Sequence, residues 1–311
     1  VQLTFLGTGA GVPTRARNVS AVALRLDQRA EVWLFDCGEG TQHQFLRTDL
    51  KISQISNIFI GHMHGDHVYG LMGLLATCGL SGQAQPIRVF GPPGLPEYVA
   101  ACSRLSRADF SERVQTSTVS PGVIYEDEEL LVTCQPLRHR VPTFGYRVTE
   151  KDRAGRFDVE RAAALGIPAG PLYGQLKRGE TVTLPDGREI DGTKLCAPPE
   201  QGRSLAYCTD TIYCDTAIAL AEGADVLIHE ATFADEDEAL ARQSLHSTAT
   251  MAARVAQAAQ VRQLILTHFS PRYAPGNEID SSELLRQAAA IFPNTILAHD
   301  FMKFDVPCHR A

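Results

Sequence analysis

Apolar positions along the chain fall into short runs rich in β-branched residues, separated by stretches with helical spacing. Val32-Trp33-Leu34-Phe35, Ile58-Phe59-Ile60, Ile87-Arg88-Val89-Phe90 and Leu130-Leu131-Val132-Thr133 predict strands bounded by turn residues. Ser204-Leu205-Ala206-Tyr207, Val226-Leu227-Ile228, Leu264-Ile265-Leu266 and Thr295-Ile296-Leu297 repeat the pattern. Val1 to Gly7 reads as a first strand, because no basic n-region precedes an apolar core as in a signal peptide. Helices are predicted over Val68 to Cys78, Pro96 to Leu105, Thr216 to Ala221, Ser247 to Gln260 and Ser281 to Ile291; the fourth is rich in alanine, a strong helix former. Strands followed by helices indicate an α/β chain layered around extended sheets.

One stretch breaks this rhythm. From Lys151 to Pro199 (151–199) the chain has Gly and Pro clusters, few apolar runs and many charges, and it reads as an insertion protruding from a single domain over 1–311. Within it, Arg161 to Gly179 holds Arg161, Lys177 and Arg178 and no acidic residue. With 44% hydrophobic and 21% charged residues the chain has an ordinary globular composition. No apolar run approaches the roughly 20 residues of a bilayer span, so no membrane partner is expected. A net charge of -7 argues against nucleic acid binding over the whole surface, yet it leaves a local basic patch open. Eight cysteines without a Cys-x-x-Cys pair, several within apolar segments, predict buried reduced thiols and a cytoplasmic location.

The chemistry concentrates after the strand Ile58-Phe59-Ile60, in Gly61-His62-Met63-His64-Gly65-Asp66-His67. The carboxyl ends of strands are where α/β sheets present their sites. Alternate residues of an extended loop share a side, which lets His62 and His64 hold one metal; a tight turn at Gly65 then lets Asp66 and His67 face a second. Imidazole and carboxylate donors without thiolates suit Zn²⁺, and the same set accepts Mn²⁺ or Fe²⁺. His139, Asp210 and His268 each follow an apolar run in the same way. Asp210 is suited to bridge two cations, since a carboxylate has two oxygens and an imidazole one free lone pair.

The His-x-His-x-Asp-His loop, the later His139, Asp210 and His268, and the turn Asp36-Cys37-Gly38-Glu39-Gly40 together resemble the metallo-β-lactamase superfamily. That resemblance implies an αβ/βα four-layer sandwich with two Zn²⁺ per subunit. His62, His64 and His139 would hold one ion, Asp66, His67 and His268 the other, and Asp210 would bridge them. Further motifs are similar to the ribonuclease Z family, over Leu3 to Pro307. Pro13-Thr14-Arg15-Ala16-Arg17-Asn18 resembles that family's Pro-x-Lys-x-Arg-Asn loop, with arginine in place of lysine at Arg15. This implies phosphate contacts from Arg15, Arg17 and Asn18. His229-Glu230-Ala231-Thr232 and His246-Ser247-Thr248 resemble two family loops, and a glutamate paired with a histidine makes a competent proton donor. His229, ending a strand, reads as structural. Gly170-Pro171-Leu172-Tyr173-Gly174-Gln175-Leu176-Lys177 looks like the tip of the family's flexible arm, which grips tRNA, with Lys177 and Arg178 as backbone contacts. Cys208-Thr209-Asp210-Thr211 is similar to the family's Ala-x-Asp-Thr, and Phe269-Ser270-Pro271-Arg272-Tyr273 adds Arg272 as a phosphate contact.

The implied activity is a zinc-dependent endoribonuclease that removes the 3′ trailer of precursor tRNA, with Asp66, His246 and Glu230 catalytic. A homodimer is implied by the family, the arm of one subunit serving RNA at the other. The alternatives are a small-ester phosphodiesterase or arylsulfatase-like hydrolase of the same superfamily, which has no use for the arm, and a noncatalytic RNA-binding module, which has no use for a full ligand set.

Overall fold

A computed structural model describes residues 1–80, 86–108, 113–153, 155–198 and 200–308. Pro199, the expected end of the insertion, lies outside them. Among the described residues, one seven-stranded sheet contains β1 (Gln2–Gly7), β2 (Ala21–Leu26), β3 (Glu31–Phe35), β4 (Ile55–Phe59), β5 (Ile87–Gly91), β6 (Val114–Thr118) and the last strand, β16 (Lys303–Asp305), in the order β16-β1-β2-β3-β4-β5-β6. A second contains β7 (Gly122–Glu126), β8 (Leu130–Leu137), β9 (Thr143–Glu150), β12 (Ser204–Cys208), β13 (Val226–Glu230), β14 (Gln263–Thr267) and β15 (Thr295–Leu297), in the order β15-β14-β13-β12-β9-β8-β7. β10 (Thr181–Thr183) and β11 (Glu189–Asp191) form a separate hairpin. β3 to β6 run parallel, as do β12 to β15, so each sheet has a parallel half whose strands end on one side.

Side chains alternate across a strand, and this sorts the core into layers. In β3, Val32 and Leu34 join Leu71, Leu74, Leu75, Leu95 and Val99 of the helices Leu71–Leu80 and Leu95–Ser106. Trp33 and Phe35 face the other sheet: Phe35 packs on Tyr207 with ring centroids 5.2 Å apart, Trp33 on Tyr125 at 5.3 Å, and Phe59 on Tyr146 at 5.4 Å. Behind the second sheet, Ala249, Ala252, Ala253 and Ala256 of the helix Ala249–Ala258 pack with Leu227, Leu264 and Leu266. The result is the expected four-layer α/β sandwich. No helix among the described residues is long and apolar enough to cross a membrane.

Residues 1–126, 132–148 and 204–306 form one compact unit, and a second is centred on 149–203. The second unit departs from the expected irregular insertion. The helices Val159–Ala164 and Pro171–Lys177, the β10-β11 hairpin and the turn Gly192–Leu195 enclose their own core of Ala162, Ile167, Leu176, Val182, Leu184 and Leu195. Its apolar residues fall in short stretches such as Ala162-Ala163-Ala164-Leu165 and Leu172-Tyr173, broken by Gly, Pro and charged residues, so no long run announces them. At its base, Arg203 makes a bidentate pair with Glu150, Nε to Oε2 2.6 Å and Nη2 to Oε1 2.8 Å.

Other elements also differ from the sequence expectation. The helix expected from Val68 to Cys78 is two, Gly65–Val68 and Leu71–Leu80, because the Gly70 N–H donates to the Cys37 carbonyl (2.9 Å) at the join. Gly65 starts the first of these helices and makes no separate tight turn; a Cβ there would sit 2.1 Å from the Tyr69 ring. β2, β9 and the helix Glu238–Ser244 were not legible as elements.

Phe59 sits among Trp33, Phe35, Phe90 and Tyr146, fully buried. Phe59→Ala is expected to destabilise the fold by about 3–5 kcal/mol, from lost apolar burial plus the cavity left behind; urea denaturation of the two proteins checks it.

Candidate metal centre

Five strand ends and the loops after them bring the singled-out side chains together. His62 and His64 follow β4, His139 follows β8, Asp210 follows β12, Glu230 ends β13 and His268 follows β14. Asp66 and His67 lie on the short helix Gly65–Val68. Two glycines permit the close approach this requires. A Cβ at Gly61 would lie 2.5 Å from Thr209 Cγ2, and one at Gly38 2.3 Å from the Asp66 carbonyl oxygen.

The donors form two groups sharing one carboxylate. His62 Nε2 lies 3.0 Å from His64 Nδ1, His139 Nε2 3.3 Å from the same Nδ1, and Asp210 Oδ2 3.4 Å from His62 Nε2. In the second group His67 Nε2 and His268 Nε2 are 3.3 Å apart, and Asp66 Oδ2 lies 3.4 and 3.5 Å from them. Asp210 reaches this group with its other oxygen, Oδ1, at 3.3 and 3.2 Å. Ligands about 2.0–2.1 Å from a tetrahedral ion stand about 3.3 Å from one another. The observed spacings match that edge. Buried Asp210 Oδ1 accepts no hydrogen bond, the state of an oxygen whose natural partner is a cation. The donor set therefore fits divalent metal ions.

Three of the rings are turned by a second partner. His67 Nδ1–H donates to Asp36 Oδ2 at 2.8 Å, His139 Nδ1–H to the Leu245 carbonyl at 3.0 Å, and His268 Nδ1–H to Thr232 Oγ1 at 2.8 Å. These bonds settle the tautomer and leave Nε2 lone pairs directed into the groups. His62 Nδ1 has no such partner. Asp36 also accepts from Tyr207 Oη at 2.7 Å, Thr209 Oγ1 at 3.1 Å and the Gly61 amide at 2.6 Å. Asp36 and His268 hold left-handed backbone, φ +56° and +60°, a strain of order 1–3 kcal/mol each that the surrounding bonds sustain.

The electrostatics show a demand for positive charge. Burial resists a charged ring at His67, yet Asp210, Asp36 and Asp66 hold its pKa well above the ordinary value. Burial opposes ionisation of Asp66 as well, but His67 and His268 hold that carboxyl far below the usual range. At His62 and His139, burial dominates and favours the neutral, ligating form.

Beside the two groups, His246 Nδ1 lies 2.8 Å from Glu230 Oε1 and 3.9 Å from Asp210 Oδ2. Burial disfavours its charged form, but the Glu230 carboxylate outweighs this and raises its pKa to about 9. Glu230, wholly buried, is held by the Thr211 amide (2.9 Å) and by the amide and hydroxyl of Thr232 (3.0 and 2.7 Å). Geometry alone also groups His246 with Asp210 and His268 as metal donors, but its bond to Glu230 occupies Nδ1. Neighbouring His229 is buried, its Nδ1–H donating to the Glu230 carbonyl at 2.7 Å. Thr248 caps the alanine-rich helix, accepting from the Met251 amide. Burial pushes the Cys208 thiol far up, so it supplies no thiolate.

The expected substrate contacts separate. Arg15 is exposed. Arg17 is tied down, donating from Nη1 to Thr8 Oγ1 at 2.7 Å and the Ala298 carbonyl at 2.9 Å. Asn18 Nδ2 donates to the Glu39 carbonyl at 2.8 Å. Arg272 pairs with Asp237 at 3.2 Å and lies over Phe233, whose ring is 6.0 Å from that of His246. In the second unit Lys177 is exposed, and Arg178 pairs with Glu180 at 2.7 Å. Asp36, Thr232 and the Gly11 amide, which donates to Asp66 Oδ2 at 2.8 Å, had no role assigned from sequence. Asp36 and Thr232 lie in motifs already visible in the sequence, the Asp36–Gly40 turn and the His229–Thr232 loop, whereas nothing marked the Gly11 amide.

Two facing mixed sheets with paired His/Asp donor groups at their strand ends define a hydrolase of the metallo-β-lactamase fold. A family model described as the β-lactamase superfamily domain matches residues 195–269, and one described as the anti-Pycsar protein Apyc1 matches residues 1–99. Ribonuclease Z of Gloeothece citriformis is 66% identical over 311 residues, covering 100% of this chain and 98% of the relative. That of Nostoc punctiforme is 64% identical over 310 residues, covering 100% and 97%. The crystal structure of human tRNase Z, short form, aligns with a TM-score of 0.70 at 31% identity, covering 99% of this chain and 100% of that one. The chain belongs to the ribonuclease Z family.

Asp36→Asn is expected to weaken divalent-metal binding about 10- to 100-fold, because His67 loses the partner that orients it. Competition with a chromophoric chelator measures the change.

Proposed function

We propose that this chain removes the 3′ trailer of precursor tRNA, leaving a 3′-hydroxyl on the tRNA and a 5′-phosphate on the trailer. The observation that carries the reading is the His246–Glu230 pair set beside two metal-donor groups that share Asp210, in a chain of the ribonuclease Z family. His62, His64 and His139 would hold one ion, Asp66, His67 and His268 the other, with Asp210 between them. Two zinc ions per subunit suit these donors, and Mn²⁺ or Fe²⁺ suit them nearly as well. Such ions, when bound, polarise a phosphodiester and lower the pKa of water.

The protein's own side chains account for the rest. Asp66, steadied by the Gly11 amide, orients the attacking water or accepts its proton. His246, protonated through Glu230, donates a proton to the departing 3′-oxygen. Because water attacks, the 2′-hydroxyl need not be the nucleophile. Arg15 and Arg272 serve phosphates near the cut, while Lys177 and Arg178 on the second unit serve the tRNA body. This reading includes a homodimer and a cytoplasmic setting, the latter in keeping with eight free cysteines.

Incubation of 3′-extended pre-tRNA with metal-loaded protein tests the reading directly; a cut elsewhere, or reversed end groups, would overturn it. His246→Gln is expected to slow single-turnover cleavage about 10²- to 10⁴-fold with metal content retained. The wild-type rate should fall on the alkaline side as His246 loses its proton, at or below about 9 because bound cations pull that value down, and the variant should lack this limb. Lys177→Ala is expected to weaken pre-tRNA binding and to lower the slope of log Kd against log salt by about 1, as for one lost phosphate contact; filter binding across a salt series reads it.

A further inference from the structure

The loop between β1 and β2 is organised around two buried or half-buried charges that do not face the donor groups. Arg17 Nη1 donates to Thr8 Oγ1 (2.7 Å), and its guanidinium lies 4.6 Å from the ring centroid of Phe269, the residue after His268. Thr8 Oγ1 in turn donates to Asp300 Oδ1 at 2.8 Å. Asp300 Oδ2 accepts from the Asn18 amide at 2.7 Å and from Gln44 Nε2 at 3.0 Å. A fully buried hydroxyl that accepts from a cation and donates to a carboxylate has one orientation only. Backbone bonds continue the fastening: the Phe269 amide donates to the Thr8 carbonyl at 2.9 Å, and the Ala10 amide to the Phe269 carbonyl at 3.0 Å. At the far turn of the same loop, the Gly11 amide meets Asp66 Oδ2, the oxygen shared with His67 and His268.

We propose that Arg17 and Asp300 are a positioning pair for the reaction, holding residues 8–18 so that the Gly11 amide fixes Asp66 and Phe269 fixes His268, and that Arg17 makes no contact with RNA. This rests on the reading that Asp66 and His268 belong to a catalytic metal centre. Both of these acceptors of Arg17 belong to the protein, and one face of its guanidinium lies over the Phe269 ring. Arg15, two residues earlier, is exposed, with no partner among the described residues, and is the cation of this loop that phosphate can reach. A phosphate contact and a positioning pair differ in what they affect. Loss of a contact raises KM for a long RNA. Loss of positioning lowers kcat for every substrate, including one too small to touch the loop.

The test uses metal-loaded Arg17→Ala, Arg17→Lys and Asp300→Asn proteins, with metal content, melting temperature, and kcat and KM on 3′-extended pre-tRNA and on bis-p-nitrophenyl phosphate. The expected result is a kcat for the small diester at least 10-fold below wild type in all three, in folded protein. Arg17→Lys should be nearly as impaired as Arg17→Ala, since the shorter lysine lacks the planar guanidinium that lies over the Phe269 ring while its Nη1 reaches Thr8 and Ala298. Wild-type turnover of the small diester by Arg17→Ala and Asp300→Asn, with only KM for pre-tRNA raised, would overturn the proposal. So would full rescue by lysine. If Arg17→Ala does not fold, the near-isosteric Asp300→Asn and the Arg17→Lys protein decide the same question. Wild-type protein that hydrolyses the diester but leaves pre-tRNA intact would refute the RNA reading, and the diester results would still decide the role of Arg17.

Discussion

The carboxylate of Asp36 holds the centre together. It leaves β3 in left-handed backbone and receives four donors: the His67 ring, the Gly61 amide, and the hydroxyls of Tyr207 and Thr209. Two of these come from the first sheet's metal-donor loop and two from the second sheet. One buried anion thereby sets the start of the His62–His67 loop, the tautomer of His67 and the approach of the Asp210 loop. A buried carboxylate is costly unless fully bonded, and here that requirement makes the two sheets agree on one geometry. The aromatic layer beneath serves the same end, since Tyr146 donates to the Ile60 carbonyl at 2.6 Å from within it.

Charge explains why the centre needs cations and what they replace. Asp36, Asp66, Asp210 and Glu230 crowd into a space lined by imidazoles, and burial opposes the charge of Asp66, Asp210 and Glu230. Protons on His67 and His246 supply part of the compensation. At His67 the bonded Nδ1 and the free Nε2 mark where a metal ion takes over from a proton. At His246 the Glu230 partner favours the protonated ring, which sets this histidine apart from the rings of the two donor groups. Thr232 links these roles, bonded at once to Glu230 and to His268. The overall charge of -7 is thus no obstacle to an RNA substrate, because what the phosphate meets is set locally.

The second unit has a different logic. Its small apolar core and its bidentate Glu150–Arg203 pair give it internal order without a long hydrophobic run. Its exposed Lys177 is therefore carried on a folded element, the helix Pro171–Lys177, and not on an irregular loop.

The type and location of the chemistry were legible in the chain alone. His62 to His67 after an apolar run, with His139, Asp210 and His268 at later strand ends, named the donors, because ligand identity depends on residue type and strand ends are visible as changes in pattern. Most strands and the alanine-rich helix were visible for the same reason. The tertiary structure decided what depends on distance between remote residues. Nothing in the spacing of Glu230 and His246 specifies 2.8 Å, and nothing in that of Asp36 and His67 assigns one to orient the other. The loop from Pro13 to Asn18 shows the limit most sharply. By residue type Arg15 and Arg17 are equivalent cations, and only packing gives Arg17 its contacts with Thr8, Ala298 and Phe269 while Arg15 stays exposed. Local sequence determines which groups a site contains, while their partners, and so their protonation and purpose, come from chain segments that meet only when the two sheets close.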